Sequence, residues 1–258
     1  PGSIPSHRRI EQVKPSLEDT LALMRDLRRR CDWDAAQTHE SLRPYLIEEA
    51  HEVDDALQSG DDARLREELG DLLLQILFHA VMAEERGAFS MHDVAETFVT
   101  KMKGRHPHLY GDGVREPWEM MKAKRRTSLA EGLPAGLASL HRAFRLQDRA
   151  AGVGFDWPTT EGPIEKVREE LGEVEAELAA GDPAHDRTQA EIGDLLFAVV
   201  NLARKAGVHP ALALDGANTK FARRFAAIEQ LAAQRGIAVP EAGLAVLDSL
   251  WDEVKRSE

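Results

Sequence analysis

The stretch IEKVREELGEVEAEL, Ile164 to Leu178, decides how this chain folds. Its apolar residues Ile164, Val167, Leu171, Val174 and Leu178 recur at spacings of three and four, which draws a single stripe along an α-helix. Gly181-Asp182-Pro183 stops that helix. Glu170 and Glu173 then project about 60° apart, one turn from each other. An exposed pair of like charges costs only a few tenths of a kcal/mol and by itself signals a solvated face. It acquires chemical meaning when other carboxylates converge on the same place.

The same device occurs earlier in the chain. Leu46, Ala50, Val53 and Leu57 lie 121 positions before Val167, Leu171, Val174 and Leu178, and Glu49 and Glu52 lie 121 before Glu170 and Glu173. After a polar loop, Glu68-Leu69-Gly70-Asp71-Leu72-Leu73 answers Glu191-Ile192-Gly193-Asp194-Leu195-Leu196 at an offset of 123. Lys101 and Arg105 then answer Lys220 and Arg224. Such ordered self-similarity predicts two copies of one helical unit. The first copy is expected over residues 14–110 and the second over 137–258. A Gly/Pro-punctuated connection, 111–136, joins them and carries a charged helical run around Met120 to Arg126. Alternating strand patterns are nearly absent, so the fold class is all-α.

The second acidic pair gives the first its meaning. Residues 190–204 read as a helix that is apolar nearly all round, through Leu195, Leu196, Phe197, Val199, Val200 and Leu202, and so predict burial on several sides. Glu191 lies on one of its apolar stripes, with Asp194 one turn on. Acids in a first helical turn also favour the helix dipole, the ordinary reading of either residue alone. Four carboxylates from two facing helices, however, make an oxygen-rich site of the kind Mg²⁺ or Mn²⁺ prefers. A third helix offers Asn218, Lys220 and Arg224 near one side, with Phe221, Phe225 and Ile228 toward the core. Lysine and arginine on a helix are commonly solubilising, but beside a divalent metal they suit polyphosphate, arginine holding two oxygens at once.

Composition narrows the classes of partner. The chain has 258 residues, 43% of them hydrophobic, enough for one large domain or two of ordinary size. Its formal net charge of -12 excludes a general nucleic-acid surface and an anionic membrane surface. The longest apolar stretches are too short and too interrupted to span a bilayer. Cys31 is the single cysteine and cannot form an intramolecular disulfide, and no leader pattern precedes the helices, so a cytoplasmic location is expected. Pro1, Gly2 and Ser3 resemble the residue of a cleaved tag.

The pattern EExxE, ExxD and then Asn-x-Lys-Phe-x-x-Arg resembles the all-α MazG-type nucleoside triphosphate pyrophosphohydrolases. The segments Cys31-Asp32-Trp33-Asp34, Gln37 to Leu42, Arg105-His106-Pro107-His108, Leu146-Gln147, Val153 to Trp157 and Leu250 to Lys255 are similar to the two-repeat bacterial form of that family. The resemblance implies four-helix-bundle-type cores completed by homodimerisation, and Mg²⁺-dependent hydrolysis of nucleoside triphosphates to monophosphate and pyrophosphate that cleanses or regulates nucleotide pools. It makes Glu170, Glu173, Glu191 and Asp194 metal ligands, with a possible second site at Glu49, Glu52, Glu68 and Asp71. Lys220 and Arg224 become phosphate contacts, joined by Asn218. Glu169 becomes the candidate to orient or deprotonate water, and Trp251 stands near the nucleobase, where an interface or core tryptophan is the plainer alternative. Val99 occupies the position of Asn218 in the first copy, which directs the expectation of catalysis to the second. Two other readings stand beside this one: a non-catalytic nucleotide-sensing or scaffold protein, and a base-specific pyrophosphatase of dUTP or dCTP type.

Overall fold

The computed structural model describes residues 14–111, 113, 128–181 and 185–258. Among them there is no strand, and the chain is all-α. The predicted helix around Met120 to Arg126 lies outside the described residues, as does Asp182-Pro183. The chain divides into two compact units, Pro1–Arg115 and Glu116–Glu258.

The first unit holds α1 (Leu17–Arg30), α2 (Asp32–Ala36), α3 (Arg43–Ser59), α4 (Asp62–Glu85), α5 (Met91–Arg105) and α6 (Pro107–Tyr110). Local chemistry sets the ends of these helices. Ser16 and Asp19 close a capping box on α1, and Ser90 and Asp93 do the same on α5, each satisfying amide groups that the first turn leaves open. Gly60, at φ 69°, turns α3 back onto α4, and Asp61 caps the start of α4 by accepting from the Ala63 and Arg64 amides. The core forms where α1 meets α4: Leu21, Met24, Leu42, Leu77, Phe78, Val81 and Met82 are buried together. Arg25 and Arg28 tie the two helices at the rim by pairing with Glu84 at 2.9 Å and Glu85 at 2.6 Å.

The second unit holds α7 (Ser139–Ala151), α8 (Glu161–Ala180), α9 (Asp186–Lys205), α10 (Pro210–Gln234), a 3₁₀ turn (Val239–Glu241) and α11 (Gly243–Arg256). The quoted stripe therefore sits on α8, which pairs with α9, while α7 packs on both α9 and α10. Ile228, Ala232, Leu250 and Val254 form a second core between α10 and α11, with Phe225 and Trp251 against it.

The expected burial of 190–204 on several sides is not found within one chain. Ala198 and Val200 are buried on α9, but Ile192, Leu196, Phe197 and Val199 are exposed, Leu196 to 54%. On α8, Leu171 and Leu178 are exposed as well, Leu178 to 64%. Phe221, placed on the core side of α10, is also exposed and stacks on Phe225 with ring centroids 6.0 Å apart. The cause is geometric: α9 packs on α8, α7 and α10, and these contacts leave the named side chains uncovered.

Candidate active site

Helical periodicity delivers the acids to one place. Glu170 and Glu173 are a turn apart on α8, Glu191 and Asp194 a turn apart on α9, and the two helices pack side by side. One carboxylate oxygen each from Glu170, Glu191 and Asp194 come within 4.8 Å of one another. Glu173 stands at the edge of this group. A hydrogen bond shared with Glu170, then burial and the charges of Glu170 and Glu191, push its carboxyl above the ordinary carboxylate value. Glu170 is only 5% exposed, and a carboxylate so buried has to be paired or bound to a cation.

Lys166, one turn before Glu170, is the partner that sequence pattern did not single out. Its Nζ lies 2.6 Å from Glu170 and 2.9 Å from Glu169, and these two hydrogen bonds raise its pKa. The (i, i+4) spacing of Lys166 and Glu170 could have identified the pair. One ammonium does not balance three or four carboxylates. The donor set is all oxygen, half-enclosed and left with net negative charge, which fits a hard divalent cation.

Glu170, Asp194 and Lys166 form one wall of a cleft of about 500 Å³ within the second unit. Leu146, Phe155, Trp157 and Phe197 give it apolar and aromatic surfaces, and Gln147 and Asn201 bring amides. Asn201 is oriented by Arg204, whose Nε donates to Asn201 Oδ1 at 3.0 Å. Arg204 is held in turn by Asp156 at 2.5 Å.

Asn218, Lys220, Arg224 and Trp251 are not among the described residues lining the cleft. Asn218 and Lys220 are exposed, whereas Arg224 engages Glu258 through two hydrogen bonds, at 3.0 and 2.6 Å, and lies over the Trp251 ring at 5.6 Å. Trp251 also packs against Phe221 and belongs to the edge of the second core. Glu169 is exposed on α8 beside Lys166.

The first unit repeats the acidic geometry. Oxygens of Glu49, Glu68 and Asp71 also come within 4.8 Å of one another, with Arg64 3.4 Å from Glu68. Burial, then the charges of Asp71 and Glu52, raise the pKa of Glu49.

An all-α chain whose paired helices gather carboxylates at a cleft defines an oxygen-donor site suited to a cation. Comparison with known proteins takes the next step. Residues 37–110 match the family described as MazG nucleotide pyrophosphohydrolase domain. The chain is 42% identical over 247 residues to the nucleoside triphosphate pyrophosphohydrolase/pyrophosphatase MazG of Thermotoga maritima, a match covering 92% of this chain and 95% of that one. It is 41% identical over 249 residues to the nucleoside triphosphate pyrophosphohydrolase of Escherichia coli K12, covering 91% and 94%. The match to the Mycobacterium tuberculosis protein of that name is 41% over 163 residues, covering 59% and 49%. The chain belongs to the MazG family of nucleoside triphosphate pyrophosphohydrolases, which are enzymes.

Proposed function

We propose that this chain hydrolyses ribo- and deoxynucleoside triphosphates to the monophosphate and pyrophosphate, and so cleanses or regulates nucleotide pools in the cytoplasm. The observation that carries this reading is the convergence of buried Glu170 with Glu191 and Asp194 at the wall of an aromatic cleft. Glu170, Glu191 and Asp194, with Glu173 beside them, would hold Mg²⁺ or Mn²⁺. When bound, the cation supplies positive charge to the triphosphate and acidity to the attacking water.

The chain's own groups account for the rest. Glu169, fixed by Lys166, accepts the proton of the water as its oxygen bonds to the α-phosphorus. The bond from the α-phosphorus to the bridging oxygen breaks, and pyrophosphate leaves with that electron pair. Lys166, within reach of Glu169 and Glu170, would also meet phosphate oxygens of the substrate. Lys220 and Arg224, with Asn218, neutralise the leaving pyrophosphate, the phosphate displacing Glu258 from Arg224. Trp251, the expected neighbour of the nucleobase, contacts Arg224.

We further read the two units as copies of one MazG-like module, 14–110 and 137–258, with the second carrying most catalysis. The uncovered apolar side of α8 and α9 supports a homodimer in which a second copy completes the helical bundle.

Product analysis tests the reading directly. Incubation with a panel of triphosphates and Mg²⁺ yields monophosphate and pyrophosphate, and excess chelator abolishes both. Orthophosphate and diphosphate as products would place attack at the γ-phosphorus and overturn it. No release with any substrate would favour a scaffold, and release with one alone a specialist.

A further inference from the structure

We infer that Gln147 and Asn201 form a base-reading pair in the cleft of the second unit, Gln147 accepting a hydrogen bond from a nucleobase N–H and Asn201 donating one to the adjoining acceptor. The inference rests on the reading that this cleft serves the acids at its wall, and it names which part of the nucleotide the far end recognises.

The polarity of each amide is fixed by its neighbour. Gln147, on α7, is 6% exposed, and its Nε2 donates to the Phe197 backbone carbonyl at 2.8 Å. A carbonyl oxygen can only accept, so the nitrogen of this amide faces Phe197 and the oxygen faces away. That oxygen, Oε1, is buried and has no hydrogen-bond partner among the described residues. An orphaned acceptor is costly to keep, so its retention at a cleft calls for a donor that arrives with a ligand. Asn201 is fixed in the opposite sense. Arg204 Nε donates to its Oδ1, which leaves the Asn201 NH₂ as donor.

Position along α9 matches a nucleotide. Asn201 is seven residues beyond Asp194, two turns or about 10 Å along the axis, which is the kind of reach that separates an α-phosphate from the base across a ribose. Phe155, Trp157 and Phe197 supply the flat apolar surfaces that a planar heterocycle stacks on. An N–H beside a lone pair is found on every common base: N6–H and N1 of adenine, N1–H and O6 of guanine, N4–H and N3 of cytosine, N3–H and O4 of uracil. The pair therefore demands a base with an intact hydrogen-bonding edge and does not choose among the four.

Uracil carries a single N–H, which makes the test simple. The wild-type protein should process UTP with a kcat/KM ~10-fold or more above that for N3-methyluridine 5′-triphosphate, because a site built around a polar partner rejects the analogue that lacks it. Gln147→Met, close in volume and free of the orphaned acceptor, should bring UTP down to the level of the methylated substrate, mainly through KM. Calorimetric binding of the two nucleotides to the wild-type protein gives the same comparison without turnover. Equal affinity of the wild type for both, or a Gln147→Met variant that keeps the preference, overturns the inference. Absence of pyrophosphate release with a preserved binding preference would instead sink the proposed reaction and leave the base-reading pair standing.

Discussion

The two units share their acids and differ in the described side chains beside them. In the second unit Gln147 on α7 and Asn201 on α9 face an open cleft of about 500 Å³. The residues 123 positions earlier are Met24 and Phe78, both buried in the first core, where Phe78 meets Trp33 edge-on at 6.4 Å. Lys166 is answered 121 positions earlier by Tyr45, and Arg204, 123 earlier, by Val81. Burying a large apolar side chain contributes about 1.5–3 kcal/mol, so the first unit gains stability where the second keeps space and unmet polarity. The acids alone therefore do not distinguish the units, since the first gathers them equally well.

The largest effect should come from the acids themselves. Glu170→Ala is expected to lower pyrophosphate release ~10²-fold or more by removing transition-state charge stabilisation, while Glu49→Ala costs far less. Glu173→Ala should exceed Glu52→Ala in the same assay, with a smaller loss than Glu170→Ala because Glu173 stands at the edge of the converging group. Equal losses from the two units, with folding and assembly intact, would break the comparison.

Filling the cleft comes next. Gln147→Met combined with Asn201→Phe writes the first unit's residues into the second and should cut kcat/KM ~10- to 100-fold, with the melting temperature held or raised, since an orphaned acceptor is lost and apolar surface gained. The reverse exchange, Phe78→Asn, puts an unpaired amide and a void into a close-packed core and should destabilise the chain by about 3–5 kcal/mol. Denaturant unfolding and steady-state kinetics check both. A first unit that gains turnover on such opening would show that its cleft alone holds it back.

The smallest effect concerns pH. In the first unit His39 and His79 approach through their Nδ1 atoms at 2.8 Å, which lets the pair hold one proton between the rings. Burial, then the neighbouring His39, depress the pKa of His79 below its ordinary 6.5. A histidine depressed on folding is protonated more readily in the unfolded chain, so its stabilising contribution is complete above about pH 6.5 and is lost as pH falls toward the folded value. Burial, then His209 and Arg145, depress His141 in the second unit with the same sign. Acidification from pH 7.5 to 5.5 should lower the melting temperature by a few degrees, and His79→Phe should flatten that slope only in part. An unchanged slope in the variant would remove His79 from the account.

Much was legible in the chain because helices have a fixed period. The stripe Ile164 to Leu178 specifies α8, and a three-residue step between acids on two helices suffices to bring Glu170, Glu191 and Asp194 together once the helices pair. Capping boxes at Ser16 and Ser90 are likewise local and readable. Lys166 was legible in principle, as an (i, i+4) partner of Glu170, but a lysine on a helix carries no mark that separates a surface charge from one at a cleft wall.

Packing decided the rest. Residues 190–204 look apolar all round, yet only the flank of α9 that meets α7 and α8 is covered, because periodicity says which residues share a face and not how many neighbours arrive to cover it. The cleft is the clearest case. Met24 and Gln147 both lie buried on the first long described helix of their units, and neither the hydrophobic pattern nor the acid spacing tells a filled interface from an open one. That follows from side-chain volume and hydrogen-bond partners contributed by a second helix far along the chain: Phe78 on α4 in one unit, Phe197 and Asn201 on α9 in the other. Sequence by itself thus determined the helices and the recurring acid motifs. Only tertiary structure set the second unit's acids at the wall of a cleft, because such room is a property of distant residues brought face to face.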